Sequence, residues 1–407
     1  MHTKPIFVVD RPASLRILSG LSDQKGKFGI LAHAFTTDNF KRQFAEFDLA
    51  AFKIGDSGIY QKKKDVTYPE IFQSYENMKV DYGIIMDHYR DRKSTYESAK
   101  KAIKVYKRSK YSFQLVGVAH GKSVSEYLKS YKEQKELGFE VVAIGGLLDK
   151  IQKHVRLVRV KHDVMLRNVL RAIRINYPDD RILPLGVFNR KRLQFFKEIG
   201  VWASDYKGWI FQYDKTQADL KDNRFEQTRK YVKEMILKPL SWNDESIYWE
   251  ASIQPNKNDK RLLIMACGKV KKNEPGKAID VYNGPSFKMV RKYLKFRNNH
   301  LDIKIISAKY GLIDYKDRIS PYDLKLNSKS SEIYKEVYSS DLKGYLNVYR
   351  EIFVLGGKDY QSVIPGGRNV MRAKGKIGMQ LSQLKKWLND DKISETKKDN
   401  KSVSIET

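Results

Sequence analysis

Between residues 29 and 213, short apolar runs rich in Val, Ile and Phe alternate with longer stretches whose apolar residues recur every three or four positions. The runs are GILAHAF (29–35), FKIGDSG (52–58), YGIIMDH (82–88), FQLVGVAHG (113–121), VVAIGG (141–146), ILPLGVF (182–188), GVWASD (200–205) and WIFQYD (209–214). The helical period is carried by TYESAKKAIKVYKRS (95–109), SVSEYLKSYKEQKELG (123–138), HDVMLRNVLRAIRINY (162–177) and NRKRLQFFKEIG (189–200). A strand that returns through a helix lands parallel to the one before it, so this alternation predicts an α/β fold: a (β/α)8 TIM-type barrel or an open doubly wound sheet. No glycine-rich dinucleotide fingerprint follows the first run, which favours the barrel.

The polar, proline-bearing segment IYWEASIQPNKNDK (247–260) interrupts this pattern, and strand-like runs restart directly after it. A second, smaller α/β domain is expected from RLLIMACG (261–268), IKIISAKYGL (303–312) and EIFVLGG (351–357), with helices over 286–296 and 330–349. The predicted organisation is a barrel over 1–246, a linker over 247–260, the smaller domain over 261–388 and, from its lack of apolar residues, a disordered tail over 389–407.

Charge narrows the partners. Lys plus Arg number 78 and Asp plus Glu 48, a net charge of +30 on a chain that is 41% hydrophobic. The apolar content excludes a disordered basic tail protein, and the excess charge predicts attraction to a polyanion, with nucleic acid the first expectation. The single cysteine, Cys267, excludes an internal disulfide framework and a multi-thiolate zinc site, and fits a reducing compartment. No run reaches the roughly 18 apolar residues of a membrane span and the first residues lack a secretory pattern, so an intracellular (cytoplasmic) protein without membrane partners is expected.

In an α/β barrel the reacting groups come from the carboxyl ends of the strands. Three runs end in aspartate, at Asp56, Asp87 and Asp205; another ends in His120-Gly121 and another in Gly145-Gly146. An aspartate after a strand often caps the next helix, and that reading stands beside the chemical one for each of the three. Taken together, ionised carboxylates accept from the N1 and N2 hydrogens of a guanine-like base, and bare glycine amides donate to its carbonyl. A further carboxylate can attack a sugar anomeric carbon, as in a retaining glycosidase. His120 is either a ligand contact or a support for a neighbouring group. Lys62, Lys63 and Lys64 follow Asp56, and Arg90, Arg92 and Lys93 follow Asp87, so the same mouth gains a basic rim suited to phosphates on either side of an extruded nucleotide. Arg167, Arg171 and Arg174 either extend that track or form a solvated helix face, and Tyr89 and Trp209 either stack on bases or pack in the core.

The ordered series DSGIYQ (56–61), IIMDHY (84–89), VGVAHG (116–121), AIGGL (143–147), PLGV (184–187) and GVWASD (200–205) resembles the queuine-type tRNA-guanine transglycosylase family. The resemblance implies a barrel that exchanges guanine in a nucleic acid for a 7-deazaguanine base through a covalent aspartate–sugar link. It implies Asp205 as the nucleophile, Asp56 as general acid/base and base-binding carboxylate with Ser57 beside it, Tyr60 stacked on the base, and Asp87 on its N1/N2 edge. Gly145, Gly146 and Leu147 would meet the carbonyl edge and the 7-substituent. His120 stands where the family usually has glutamine, and YKGWIFQY follows Asp205 in place of a proline- and arginine-containing loop, so contacts made there do not transfer.

The family's tRNA-type members carry a zinc cluster of three cysteines and a histidine, which a chain with one cysteine cannot build. With the basicity and the second domain, the chain is more similar to phage-type DNA-guanine transglycosylases. ACGKVKK (266–272), DVYNGPSF (280–287), SAKYGLIDYKDRISPYD (307–323) and VLGGKDY (354–360) resemble a domain family related to the peroxide-stress protein YaaA. The resemblance therefore implies DNA and a free 7-deazaguanine base as partners, no cofactor and no metal, with accessory proteins or a homodimer left open. A tRNA substrate, or a non-catalytic nucleic-acid-binding barrel, are the alternatives.

Overall fold

In the computed structural model, residues 3–59, 66–148, 150–153, 156–159, 163–209, 224–238, 260–295 and 301–402 are described. The chain forms two compact units, Met1–Lys122 with Glu126–Leu148 and Val169–Ala251, and Ser123–Ser125 with Asp149–Asn168 and Ser252–Thr407. The short segments 123–125 and 149–168 thus group with the second unit, a grouping by contact that a single boundary at 247–260 does not express.

The first unit is an eight-stranded parallel barrel alternating with helices. Its strands are β1 (Lys4–Val8), β2 (Gly29–His33), β3 (Lys53–Asp56), β4 (Tyr82–Ile84), β5 (Gln114–Ala119) and β6 (Val141–Ile144). After an antiparallel hairpin of β7 (Lys150–Lys153) and β8 (Arg156–Arg159) come β9 (Ile182–Pro184) and β10 (Ala203–Tyr206). The sheet runs β10-β1-β2-β3-β4-β5-β6-β9. A parallel bridge between Ile182 and Val201, with the Trp202 N–H donating to the Ile182 carbonyl at 3.0 Å, draws the two ends together. One expectation is corrected here: β1 supplies the eighth strand, not WIFQYD. The run KPIFV lies ahead of residue 29, where the alternation is read from, and so outside the set of runs counted. Of WIFQYD, Trp209 lies in the core and residues 210–214 lie outside the described residues.

The strands are apolar along their length because helices cover one face and the barrel interior the other. Three glycines mark which face is which. A Cβ on Gly55 would lie 2.3 Å from the Tyr75 ring, one on Gly83 2.6 Å from Tyr75 and 2.7 Å from Phe113, and one on Gly117 2.9 Å from Phe139. These positions therefore face the helical layer, and their alternating neighbours Asp56 and His120 face inward. Tyr75 is fully buried on the helix Tyr68–Asn77, whose start is fixed by a capping box in which Thr67 and Glu70 bond each other's backbone ends. Because the Tyr75 ring has no room to retreat, Gly55→Ala should cost about 1–3 kcal/mol of stability, read as a lower urea midpoint.

At the amino ends of the strands the barrel is plugged by rings. Phe52, Tyr82 and Trp202 meet with centroids 4.7–6.1 Å apart, and Arg181 lies over Trp202 while donating to the Tyr82 hydroxyl at 2.8 Å. That end is closed, which leaves the carboxyl end as the open mouth.

The second unit carries a five-stranded sheet in the order β14-β13-β11-β16-β17, from β11 (Arg261–Ala266), β13 (Leu301–Ser307), β14 (Gly311–Asp314), β16 (Glu351–Leu355) and β17 (Val370–Arg372). All pairings are parallel except β13 with β14. Two short strands, β12 (Gly276–Lys277) and β15 (Arg318–Ile319), pair separately. The side chain of Arg261 is 2% exposed, bonds Glu351 at 3.2 Å and stacks 3.7 Å over the Trp387 ring, which fastens the last helix to the sheet. That helix, Ile377–Ser402, continues through the polar segment expected to be a disordered tail. After Gly378 the segment contains neither glycine nor proline and is rich in Lys, Glu, Asp and Gln, so nothing local stops the helix. Residues 403–407 lie outside the described residues. Among the described residues, no helix is long and apolar enough to cross a membrane.

Candidate functional site

The carboxyl ends of β3, β4, β5, β6 and β10 bring Asp56, Asp87, His120, Gly145-Gly146 and Asp205 to the barrel mouth. None of the three aspartates caps a helix. That task falls to other residues, such as Asp91, which accepts the Ser94 N–H at 3.1 Å at the start of the helix Arg92–Tyr106.

Asp56 is the last residue of β3 and is half-buried. Its carboxyl is pushed up to about 7, first by burial, then by the negative charges of Asp87 and Asp205, and the backbone amides of Gly58 and Ser57 offset this only in part. Three carboxylates therefore share one field, in which Asp56 holds its proton up to about pH 7. Ser57 is 1% exposed, and Gly58 takes φ +67°, a conformation that turns the chain sharply away after the carboxylate.

Asp87 is held from behind. Its Oδ2 lies 2.6 Å from His120 Nε2, and the His120 Nδ1 accepts the Arg90 N–H at 3.3 Å. With Nδ1 accepting, the ring proton sits on Nε2 and is donated to Asp87. Both ring nitrogens are spent and His120 is 1% exposed, so it positions Asp87 and does not itself line the mouth. Arg90 reaches this geometry at φ +55°, the left-handed region that a non-glycine residue enters only when its surroundings hold it there. His120→Leu leaves the Arg90 N–H and one Asp87 oxygen without these partners and should cost about 2–4 kcal/mol by denaturant titration.

The His120 ring explains the glycine pair. A Cβ on Gly145 would lie 2.5 Å from the ring, and Gly146 sits at φ +68°. Tyr127 donates to the Gly145 carbonyl at 2.8 Å and Arg90 Nε to the Gly146 carbonyl at 3.0 Å. The Gly145 N–H is bound to the Ala119 carbonyl at 3.1 Å, whereas the Gly146 N–H donates to no group among the described residues. Leu147 is buried. On β10, Asp205 pairs in register with Ile6 of β1, and its Oδ1 accepts the Gly186 N–H, so the loop after β9 orients it.

Residues 262–390 match the model of a family of unknown function (DUF6884), so the second unit is similar to that family. No curated protein matches the chain.

The expected rim divides. Tyr60, Lys62, Lys63 and Lys64 lie outside the described residues. Lys93 is exposed. Arg92 is engaged with Glu133 at 2.6 Å, and Arg90 supports the Gly146 carbonyl, so both serve the barrel's own structure. Arg174 is likewise spent on the Ile199 and Gly200 carbonyls at 2.7 and 2.9 Å, closing the end of the helix Leu193–Ile199. Trp209 is fully buried, donates to the Val8 carbonyl at 3.1 Å and packs against Phe7, so of its two readings it takes core packing. Tyr89 is 38% exposed beside the glycine pair and donates to the Leu148 carbonyl at 3.3 Å.

One mouth residue was missed. His33 ends β2 as the register partner of Asp56, and its Nδ1 is buried with no hydrogen-bond partner among the described residues. Burial lowers its pKa, with Asp10 opposing and Lys207 adding to the shift. The signal was present, since GILAHAF carries a histidine at a run's end. A lone histidine in an apolar run nonetheless reads first as a core residue. An unpaired buried nitrogen beside Asp56 is a ready donor or acceptor for a ligand in the mouth.

Proposed function

We propose that the first unit is a DNA-guanine transglycosylase that exchanges guanine in DNA for a free 7-deazaguanine base. The observation that carries the reading is Asp56, a carboxyl whose pKa lies near 7 between two further carboxylates at the open end of a (β/α)8 barrel. A group half-protonated at neutral pH can give a proton in one half-reaction and take one in the next.

In this reading the Asp205 carboxylate attacks C1′ of a deoxyguanosine. The C1′–N9 bond breaks, its electron pair leaves with guanine, and Asp56 supplies the proton that neutralises the leaving base. The incoming 7-deazaguanine then loses its N9 proton to Asp56 and attacks C1′, expelling the Asp205 carboxylate. Both carboxyls return to their starting states. Asp87, held by His120, accepts from the N1–H and N2–H edge, and the unspent Gly146 N–H donates to the base carbonyl. The base must leave the stack to reach the mouth, and water must be kept from the intermediate, since hydrolysis there leaves an abasic site.

The net charge of +30 supports a nucleic-acid substrate and the single cysteine argues against the zinc-bearing tRNA branch. The test is incorporation of isotopically labelled guanine into duplex DNA and into tRNA, side by side. Label in DNA is the expected result; label in tRNA alone replaces the substrate assignment, and label in neither removes the activity.

A further inference from the structure

The sheet of the second unit has its own site, independent of the barrel reading. In the order β13-β11-β16-β17 the chain places its second parallel strand on one side of the first and its later strands on the other, so direction reverses at β11. In open parallel sheets the carboxyl edge at such a reversal is where ligands bind. Here it presents Cys267 after β11, Ser307 at the end of β13 and Gly356-Gly357 after β16. The Cys267 N–H donates to the Ile306 carbonyl at 3.0 Å, which fixes the thiol at the edge.

Hydroxyl groups converge there. Tyr322 OH lies 2.8 Å from Tyr282 OH and 2.8 Å from Ser307 Oγ, while Ser307 Oγ also accepts the Tyr310 N–H. Each hydroxyl can turn its proton from one neighbour to another, so the group can present a donor to an incoming anion. Cys267 Sγ and Tyr360 OH lie 3.3 Å apart, Tyr360 OH accepts the Leu326 N–H, and Cys267 is also hydrogen-bonded to Tyr322, so the five groups form one network at the edge. Cations stand beside them. Lys271 Nζ is 4.4 Å from the centre of the Tyr322 ring, and Lys309 Nζ is 4.7 Å from that of Tyr310. Burial lowers the Lys271 pKa, opposed by Cys267 and Asp323, so its ammonium gains from an incoming anion. Asp323 and Asp359 are the acidic groups that act on this cluster, and neither is hydrogen-bonded to its hydroxyls.

We propose that the carboxyl edge of this sheet, at Cys267, Ser307, Tyr322, Tyr360 and Lys271, binds the phosphate group of a nucleotide or polynucleotide. Several hydroxyl groups that can turn to donate, together with an ammonium, match the several acceptor oxygens of a phosphate ester better than the two of a carboxylate.

Cys267 is the chain's only thiol, so its alkylation reports this site alone. The full chain is treated with iodoacetamide at constant ionic strength in the presence of inorganic phosphate, dGMP, a single-stranded oligonucleotide, deoxyguanosine or acetate. A phosphate-bearing probe at about ten times its Kd should slow alkylation about tenfold, because only the unbound form reacts. Deoxyguanosine and acetate should leave the rate unchanged. Protection by dGMP assigns a free nucleotide, and protection by the oligonucleotide alone assigns a strand. Lys271→Gln should weaken protection by at least about tenfold, with Lys271→Arg retaining it. Equal protection by acetate, no protection by any phosphate probe, or protection unchanged in Lys271→Gln overturns the proposal. Because the barrel carries no cysteine, failure here leaves the exchange reading untouched, and failure of exchange leaves this one.

Discussion

Asp205→Ala should lower base exchange at least about 10⁴-fold, the scale of removing a nucleophile, while DNA affinity stays within about threefold. The carboxylate makes no contribution to phosphate binding in the proposed scheme, so binding and chemistry separate. Asp205→Asn sharpens the comparison. It keeps an oxygen for the Gly186 N–H and therefore the shape of the loop after β9, yet it lacks the negative charge that attacks C1′. Both variants are compared with the parent by label incorporation at saturating DNA and by equilibrium DNA binding. Exchange at the parent rate in either variant removes Asp205 from the mechanism.

Asp56→Asn carries the second large effect, and its sign is opposite for stability and activity. The native carboxyl holds its proton up to about pH 7, whereas the unfolded chain releases it near 3.8. Below about pH 4 both states are protonated and the residue is neutral to stability. As the pH rises from 4 to 7, the native state keeps a proton that the unfolded state has lost, so stability falls, and above 7 the full penalty of burying the charge is present. That penalty is on the order of 2–4 kcal/mol once the site's partial access to water is counted. Asparagine removes it. The variant should therefore be more stable than the parent at pH 8 by about that amount, with the difference vanishing toward pH 4, in urea titrations across that range. Exchange should be lost, and the parent's rate should bend near pH 7. A stability difference independent of pH would contradict the environment assigned to Asp56.

The fold was legible where burial dictates sequence. Parallel strands covered on both faces read as continuous apolar runs, and seven of the eight barrel strands coincide with such runs; the missed one, Lys4–Val8, lies ahead of residue 29, where the alternation is read from. Asp56, Asp87 and Asp205 were legible because each ends a run. What the sequence could not carry was the direction of a hydrogen bond. His120 reads equally well as ligand contact or support, and only the Arg90 N–H on its Nδ1 decides between them. Arg92 and Arg174 read as a basic rim, yet each finds a partner far along the chain, in Glu133 and in the Ile199 and Gly200 carbonyls. Trp209 reads equally as a stacking ring or a core ring, and its burial against β1 decides for the core. His33 was passed over for the converse reason, an apolar context that concealed a position at the mouth.

The central claim is base exchange in DNA, and nucleoside mass spectrometry tests it most directly. DNA is taken from cells that express the parent chain or Asp205→Ala, with a supply of 7-deazaguanine bases, digested to nucleosides and analysed. The account predicts a deoxynucleoside with a 7-deazaguanine core in the parent sample and its absence from the variant. Unmodified deoxynucleosides in both, or the modified nucleoside in both, would contradict it.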